Sequence, residues 1–374
     1  MKRFYIFALT MFALAACSQG QMPNGDDNND VVVNVPVPEY GYILFNADVA
    51  SRGTLYEGGN PEDPDDNRLY QDFGVIGYTY MANEWTTAVV QATPMENFYN
   101  KQVVWNGGCG SKCVYTYNNG KYEEWVGKQH YAFFAYAPWD DNKDDNKSIT
   151  PSSDTKEGNP YIDFRLPSRT SVDNHVDVMT GCAIDTNYAT RSVGFNMSHR
   201  LTALDVTANN LYKEGTINIK NLTINIKNLL YDEVRIPLND RDEPELVYGN
   251  PKSGDDAKAS YTLIENGHVE VSTEAEIALT SGRGKTMIFI PQNQHEFKEG
   301  NTTTTCSLIG TLDISYLRGT ETKNAEDIPF VIKRDLKGGR RYFLQINFAP
   351  EDISVFVIES DEWKDSNKIN HDFE

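Results

Sequence analysis

The chain has 374 residues, with 34 Lys and Arg against 54 Asp and Glu, a formal net charge of -20. That balance argues against nucleic acid, because phosphate binding needs clustered cations, and it favours solubility in a crowded exterior. The length suits two domains, each able to bury its own core.

The first element is MKRFYIFALTMFALAAC. Lys2 and Arg3 make a positive start, and Phe4 to Leu14 form an apolar run too short to span a bilayer core. Ala15 and Ala16 then place two small residues before Cys17, as a lipoprotein signal peptidase requires. An ordinary secretory leader with a chance cysteine is the alternative; run length, flanking charge and cysteine position together favour the lipoprotein. One acyl chain binds a membrane only marginally and two or more hold it stably, so diacylglycerol and palmitate on Cys17 would anchor the chain. The expectation is a signal peptide over 1–16 and a lipid-anchored protein of the bacterial outer membrane and cell surface.

Ser18 to Asp30 is rich in Gly, Asn, Asp and Gln without apolar periodicity, so 17–39 reads as a disordered tether. As a flexible coil it covers roughly 25 Å. Period-two alternation follows. In YGYILFNADV, residues Ile43, Phe45, Ala47 and Val49 share one face. FGVIGYTY suits a strand, and YAFFAYAPW, nearly all apolar up to Pro138, reads as a buried one. A short helix near Pro94 to Tyr99 would be an ornament. LTALDVTAN places Leu204, Val206 and Ala208 on one face. In GTINIKNLTINIKN the phase slips between Ile217/Ile219 and Leu222/Ile224/Ile226, which predicts a bulge or tight turn around Asn221. KTMIFIPQ, TLDISYL, IPFVIKRDL, RYFLQINF and ISVFVIESDEW continue the pattern to the end. Many short strands at turn-sized spacing predict an all-β chain of sandwiches. The polar stretch DTNYATRSVG divides it into domains at about 40–190 and 191–374.

Chemical motifs are weak. Cys109, Cys113, Cys182 and Cys306 sit in a compartment that permits disulfides, and four cysteines allow three pairings among which sequence does not choose. CGSKC reads as a disulfide at a hairpin tip, or two separate partners, rather than half a zinc site. SGRGKT ends like a phosphate loop, but Leu279 stands where glycine is needed and a strand follows instead of a helix. The loop with Asp140, Asp141, Asp144 and Asp145 lacks the glycine of a calcium loop and reads as solvated, with calcium left to experiment. His130, His175, His199, His268, His295 and His371 occupy no catalytic spacing. Trp85, Trp105, Trp125 and Trp139 read as packing residues before a sugar-stacking surface. No catalytic residue, metal or cofactor is expected, and the chain is read as a non-enzyme.

The order of these segments resembles the fimbrillin-like lipoproteins of Bacteroidales, the subunits of type V pili. The matching pieces are the Cys17 lipobox, YILFNADV, FGVIGYTY, NFYNKQVVW, YAFFAYAP and HVDVMTG, then FNMSHRLTALDV, MIFIPQ and GGRRYFLQINF with ISVFVIESDEW. In FNMSHRL, Phe195, Met197 and Leu201 fit an inward strand face, and His199 caps or bonds nearby backbone. The resemblance implies two tandem transthyretin-like β-sandwich domains. It also implies adhesion and assembly with other fimbrial subunits, as homopolymer or otherwise, by β-strand exchange. In that scheme a protease trims the precursor after a basic residue, here Arg52, removing the strand with Ile43, Phe45, Ala47 and Val49. A neighbour's strand then fills the groove. The other reading of Arg52 is a surface residue of an uncut lipoprotein. Val355, Phe356, Val357 and Ile358 are a donor strand or the last strand of their own sheet. Stalk, anchor and tip roles stay open, as does the surface ligand, and the alternative function is a monomeric outer-membrane lipoprotein binding glycan through exposed aromatics.

Overall fold

A computed structural model describes residues 41–49, 69, 71–82, 84–88, 92–105, 115–127, 129–141, 148–190, 192–212, 215–239, 245–281, 283–349 and 353–360. Cys17, the tether, Arg52, Cys109, Cys113, Asp144 and Asp145 lie outside these residues. The chain is all-β, as the alternation predicts.

Its first strands are β1 (Phe45–Val49), β2 (Phe73–Tyr80), β3 (Lys101–Trp105), β4 (Tyr115–Thr116), β5 (His130–Ala137), β6 (Ile149–Pro151), β7 (Tyr161–Arg165), β8 (Met179–Thr186) and β9 (Val193–His199). Seven of them form one sheet in the order β1-β9-β8-β5-β2-β3-β4. Both of its faces are covered, which is why YAFFAYAP shows no alternation. Tyr131, Phe133 and Ala135 enter one core with Phe45, Phe73, Phe98 and Phe195. Ala132, Phe134 and Tyr136 enter another with Ile76, Tyr78 and Ile162. Gly74 on β2 is required by this packing, since a Cβ there would lie 2.4 Å from the Tyr136 ring. The helix near Pro94 to Tyr99 is a single 3-10 turn, Glu96–Phe98, whose Phe98 is buried.

The later strands are β10 (Thr202–Asn210), β11 (Ile217–Ile226), β12 (Glu233–Pro237), β13 (Val247–Tyr248), β14 (Ala259–Ile264), β15 (Val269–Val271), β16 (Ile277–Ala278), β17 (Met287–Phe289), β18 (His295–Glu299), β19 (Thr302–Cys306), β20 (Leu308–Arg318), β21 (Glu321–Ile332), β22 (Arg341–Phe348) and β23 (Ile353–Ser360). Two sheets, β16-β10-β22-β23 and β14-β11-β20-β21, enclose a core that includes Val206, Ile224, Leu312, Leu344 and Ile346. A further sheet, β13-β12-β7-β6, draws strands from either side of residue 190 and covers the second face of the seven-stranded sheet. The chain leaves the first sheet after His199 and enters the next at Thr202.

The phase slip in GTINIKNLTINIKN is a bulge within one strand. Pairing of β11 with β20 shifts register between Ile219 and Asn221, so that Ile217 and Ile219 before it, and Leu222, Ile224 and Ile226 after it, are all buried. Strand β21 is an edge strand that carries Pro329 and charged Glu321, Lys323, Glu326 and Asp327. Asp327 has a left-handed φ of 55°, and the ladder to β20 shifts between Leu312 and Ile314.

SGRGKT does a structural job. Thr280 and Thr286 both donate hydrogen bonds to Asp205 Oδ1, at 2.6 and 2.7 Å, while Arg341 Nε donates to Asp205 Oδ2 at 2.6 Å. Arg341 Nη2 also reaches Ser281 Oγ at 3.3 Å. Asp205 and Arg341 are both fully buried, and they sit on the parallel pair β10–β22. The ion pair and the two threonines thus fix strand register where a one-step slip would strand a charge.

His175 is held neutral. Its Nε2 faces the Ser168 carbonyl at 3.2 Å, and its Nδ1 accepts from the Ile288 N–H at 2.9 Å, so the proton sits on Nε2. Burial pushes its pKa down from 6.5 to about 4, against the opposing pull of the Ser168 carbonyl and of Asp173. The unfolded chain therefore takes up a proton first as pH falls. Stability is full above about 6.5, declines through the window down to about 4 and is flat below it. The total loss is on the order of 3 kcal/mol. Urea midpoints for the wild-type protein at pH 7 and pH 5 are expected to differ by more than those for His175→Gln, which lacks a titrating ring.

Candidate functional site

The alternation of YILFNADV is present as drawn from sequence. Ile43, Phe45, Ala47 and Val49 are 1, 3, 1 and 6 % exposed, while Leu44 is 38 % exposed on the opposite face. Burying the three larger side chains contributes roughly 1.5–3 kcal/mol each. Among the described residues β1 sits at the edge of its sheet and pairs with β9 alone, in parallel, from Phe45 opposite Val193 to Val49 opposite Met197. The Phe45 ring meets Phe98, Tyr117, Phe133 and Phe195 at centroid distances of 5.7, 5.5, 5.3 and 5.8 Å. The groove floor is therefore aromatic.

Among the described residues no strand ladders along the other edge of β1; an antiparallel bridge between Tyr42 and Glu124 and a few further bonds clasp it there. Ile43 N–H donates to Glu123 O at 2.8 Å, Trp125 N–H to Gly41 O at 3.2 Å, and Leu69 N–H to Ala47 O at 3.0 Å. The Tyr117 hydroxyl donates to Ile43 O at 2.7 Å and accepts from Glu123 N–H at 3.0 Å. Burial raises the Tyr117 phenol pKa well above its ordinary range, so it stays a donor. Tyr115 hydroxyl reaches Ala47 O at 3.1 Å and also Leu69 O. Of these clasp residues, Tyr115 and Tyr117 carry no signal of this role in the sequence. Their aromatic character in CVYTYNNG is visible there, but nothing in the spacing links them to residues 43–47.

At the other end of the chain, β23 pairs with β22 along its whole length, from Phe348 opposite Ile353 to Arg341 opposite Ser360. In this structure Val355, Phe356, Val357 and Ile358 form the last strand of their own sheet. Val355 and Val357 lean on the core, and Phe356 is 54 % exposed.

His199 Nδ1 lies 2.7 Å from Asp177 Oδ2, with both side chains buried. Phe195 and Met197 enter the core of β1, whereas Leu201 enters the neighbouring one. Trp85 and Trp125 are buried at 4 and 3 % exposure, and Trp105 and Trp139 are half-buried against the cores. Cys306 is a buried free thiol, pushed up in pKa by burial, with Asn228 Nδ2 3.8 Å from its sulfur. Cys182 is half-buried on β8. Among the described residues no three His, Cys, Asp or Glu side chains gather as a metal site, and no helix is long and apolar enough to cross a membrane.

The geometry defines a multi-sheet β-sandwich protein whose N-proximal strand lies, among the described residues, at the end of its sheet over an aromatic groove. The chain belongs to the Fimbrillin-like family, whose model matches residues 71–363. A fimbrial protein from Bacteroides vulgatus is similar in fold, with a TM-score of 0.58 at 19 % identity over 86 % of this chain and 99 % of that one. Two candidate cell adhesion proteins, from Bacteroides uniformis and Bacteroides ovatus, align with TM-scores of 0.44 and 0.45. The first is 12 % identical over 87 % of this chain and 100 % of its own, the second 14 % over 88 % and 100 %. No curated protein matches.

Proposed function

We propose that this chain is a non-enzymatic fimbrial subunit or adhesin of the cell surface, lipid-anchored through Cys17 at the outer membrane before assembly. Its sandwiches are arranged as two tandem domains, expected from sequence at about 40–190 and 191–374, with β9 and the returning strands β12 and β13 packing with the first. Subunits assemble by strand exchange at β1. The observation that supports this reading is the position of β1 at the end of its sheet among the described residues, with four buried side chains and one laddered neighbour there. Cleavage after Arg52 severs the chain just past this strand. If β1 leaves, the aromatic floor and the β9 edge are uncovered, and an incoming strand regains both main-chain bonds and apolar burial. The partners are other copies or other fimbrial subunits. The competing reading, a monomer that binds glycan through exposed aromatics, draws no support from tryptophans packed into the cores.

Mass spectrometry of the N-terminus of the protein taken from its native surface tests the proposal. The expected chain begins at Gly53. A chain beginning at acylated Cys17, in protein drawn from assembled fibres, would overturn strand removal while leaving the lipid anchor standing.

A further inference from the structure

Two clefts adjoin on the outer side of sheet β13-β12-β7-β6. One, about 560 Å³, is floored by two cross-strand rows, with Thr150, Asp163 and Arg235 in the first and Ser148, Arg165 and Glu233 in the second. The other, about 630 Å³, shares Ser148 and Arg165 and adds Arg169, Asn174 and Asp232. Both volumes fall in the range of small-ligand sites, about 300–1,000 Å³. Gly249 keeps the first cleft open beside Glu233, since a Cβ there would stand 3.1 Å from the Glu233 Cβ.

The local charge differs from that of the whole chain. The ion pairs around the clefts involve four cations, Arg165, Arg169, Arg235 and Lys252, against three carboxylates, Asp163, Asp232 and Glu233. Among the residues that line the clefts, Arg165, Arg169 and Arg235 balance Asp163, Asp232 and Glu233, so the site is neutral on a chain of formal charge -20. Two of the guanidinium groups also hold their partners loosely. Arg235 is closed, donating to both oxygens of Asp163 at 2.7 and 3.0 Å and stacking 3.7 Å over the Tyr161 ring. Arg165 Nε is 3.8 Å from Glu233 Oε1, with side chains 67 and 58 % exposed, so it is free to turn. Arg169 uses Nη1 on the Leu229 carbonyl at 3.0 Å, but its buried Nη2 has no hydrogen-bond partner and lies 4.0 Å from Asp232 Oδ2. Arg165 and Arg169 both line the second cleft, Arg165 with an exposed guanidinium and Arg169 with an unsatisfied Nη2 just beneath its surface.

We propose that the paired clefts bind an acidic saccharide. A sugar carboxylate takes the Arg165 and Arg169 donors, because a guanidinium matches a carboxylate with two parallel hydrogen bonds. The ring hydroxyls then donate to Asp163 and Glu233 and exchange bonds with Ser148, Thr150 and Asn174. This mixture favours a saccharide over an acidic peptide, whose successive carboxylates would meet Asp163, Asp232 and Glu233. The site is separate from β1, and its occupancy is independent of strand exchange.

Saturation-transfer NMR and calorimetry on the full chain, with trigalacturonate and sialyllactose as acidic probes and maltotriose as the uncharged control, test the proposal. At least one acidic probe is expected to bind saturably, more weakly as salt rises, with maltotriose weaker by about tenfold or more. Arg165→Ala, at an exposed position that the fold does not need, is expected to lower acidic-probe affinity about tenfold, and Arg165→Lys less. Absence of saturable binding by both acidic probes, equal binding of maltotriose, or affinity unchanged in Arg165→Ala each overturns the proposal. So does tighter binding of hexaglutamate than of either acidic sugar.

Discussion

Asp205→Ala is expected to lower stability by about 3–5 kcal/mol, read as a fall in the urea midpoint. The magnitude follows from what remains. Arg341 is wholly buried with its Nε on Asp205, so truncating the carboxylate leaves a cation in the sheet without its counter-charge. Thr280 and Thr286 lose their shared acceptor as well. Arg341→Met should cost a similar amount by stranding the anion. The double change, Asp205→Leu with Arg341→Met, should cost clearly less than the two single losses summed, since no buried charge is left. Additive losses would mean that the pair is not coupled and that the register of β10 and β22 depends on the apolar core alone.

Phe45→Ala should cost about 3–5 kcal/mol, the scale for removing a large aromatic side chain from a packed core. Four rings surround Phe45, so the space it leaves cannot close by a small movement of one neighbour. The loss should be local as well as global. Val193 N–H, bonded to Leu44 O at 2.7 Å, and Leu69 N–H, bonded to Ala47 O, should exchange with deuterium faster than amides in the middle of β5. A uniform loss of protection across the sheet would mean that β1 opens only with the whole sandwich, and strand release without unfolding would be ruled out.

The sequence makes the strands legible where one physical rule decides them. Ile43 to Val49 alternate because a half-buried strand must, and the slip at Asn221 keeps five apolar side chains on one face of β11. Asp205 is different. In LTALDVTAN it occupies the phase opposite Leu204 and Val206, where an exposed residue is normally found, yet it is buried. Its partner is 136 residues away on β22, and only the parallel pairing of β10 with β22 brings them together. The clasp of Tyr115 and Tyr117 on β1 escapes notice for the same reason, as does the joining of β7 to β12 across residue 190. His199 could be suspected of a polar role from its place in an apolar strand, but Asp177 could not be chosen as its partner from spacing. Local periodicity reads elements; distant polar pairing has no local signal.

The guarded edge of β21 bears on the geometry of any polymer. Strand β23 runs beside β21 at one seam of the second sandwich, so Pro329, the kink at Asp327 and the surrounding charges stand where an unwanted strand would add. A building block with two receptive edges has a valence above that of a chain link, and its products branch into networks or sheets. Closing this seam leaves each subunit fewer ways to join, and under the strand exchange proposed above, growth through the β1 groove alone would be one-dimensional and polar, because a groove and the strand that fills it are unlike ends.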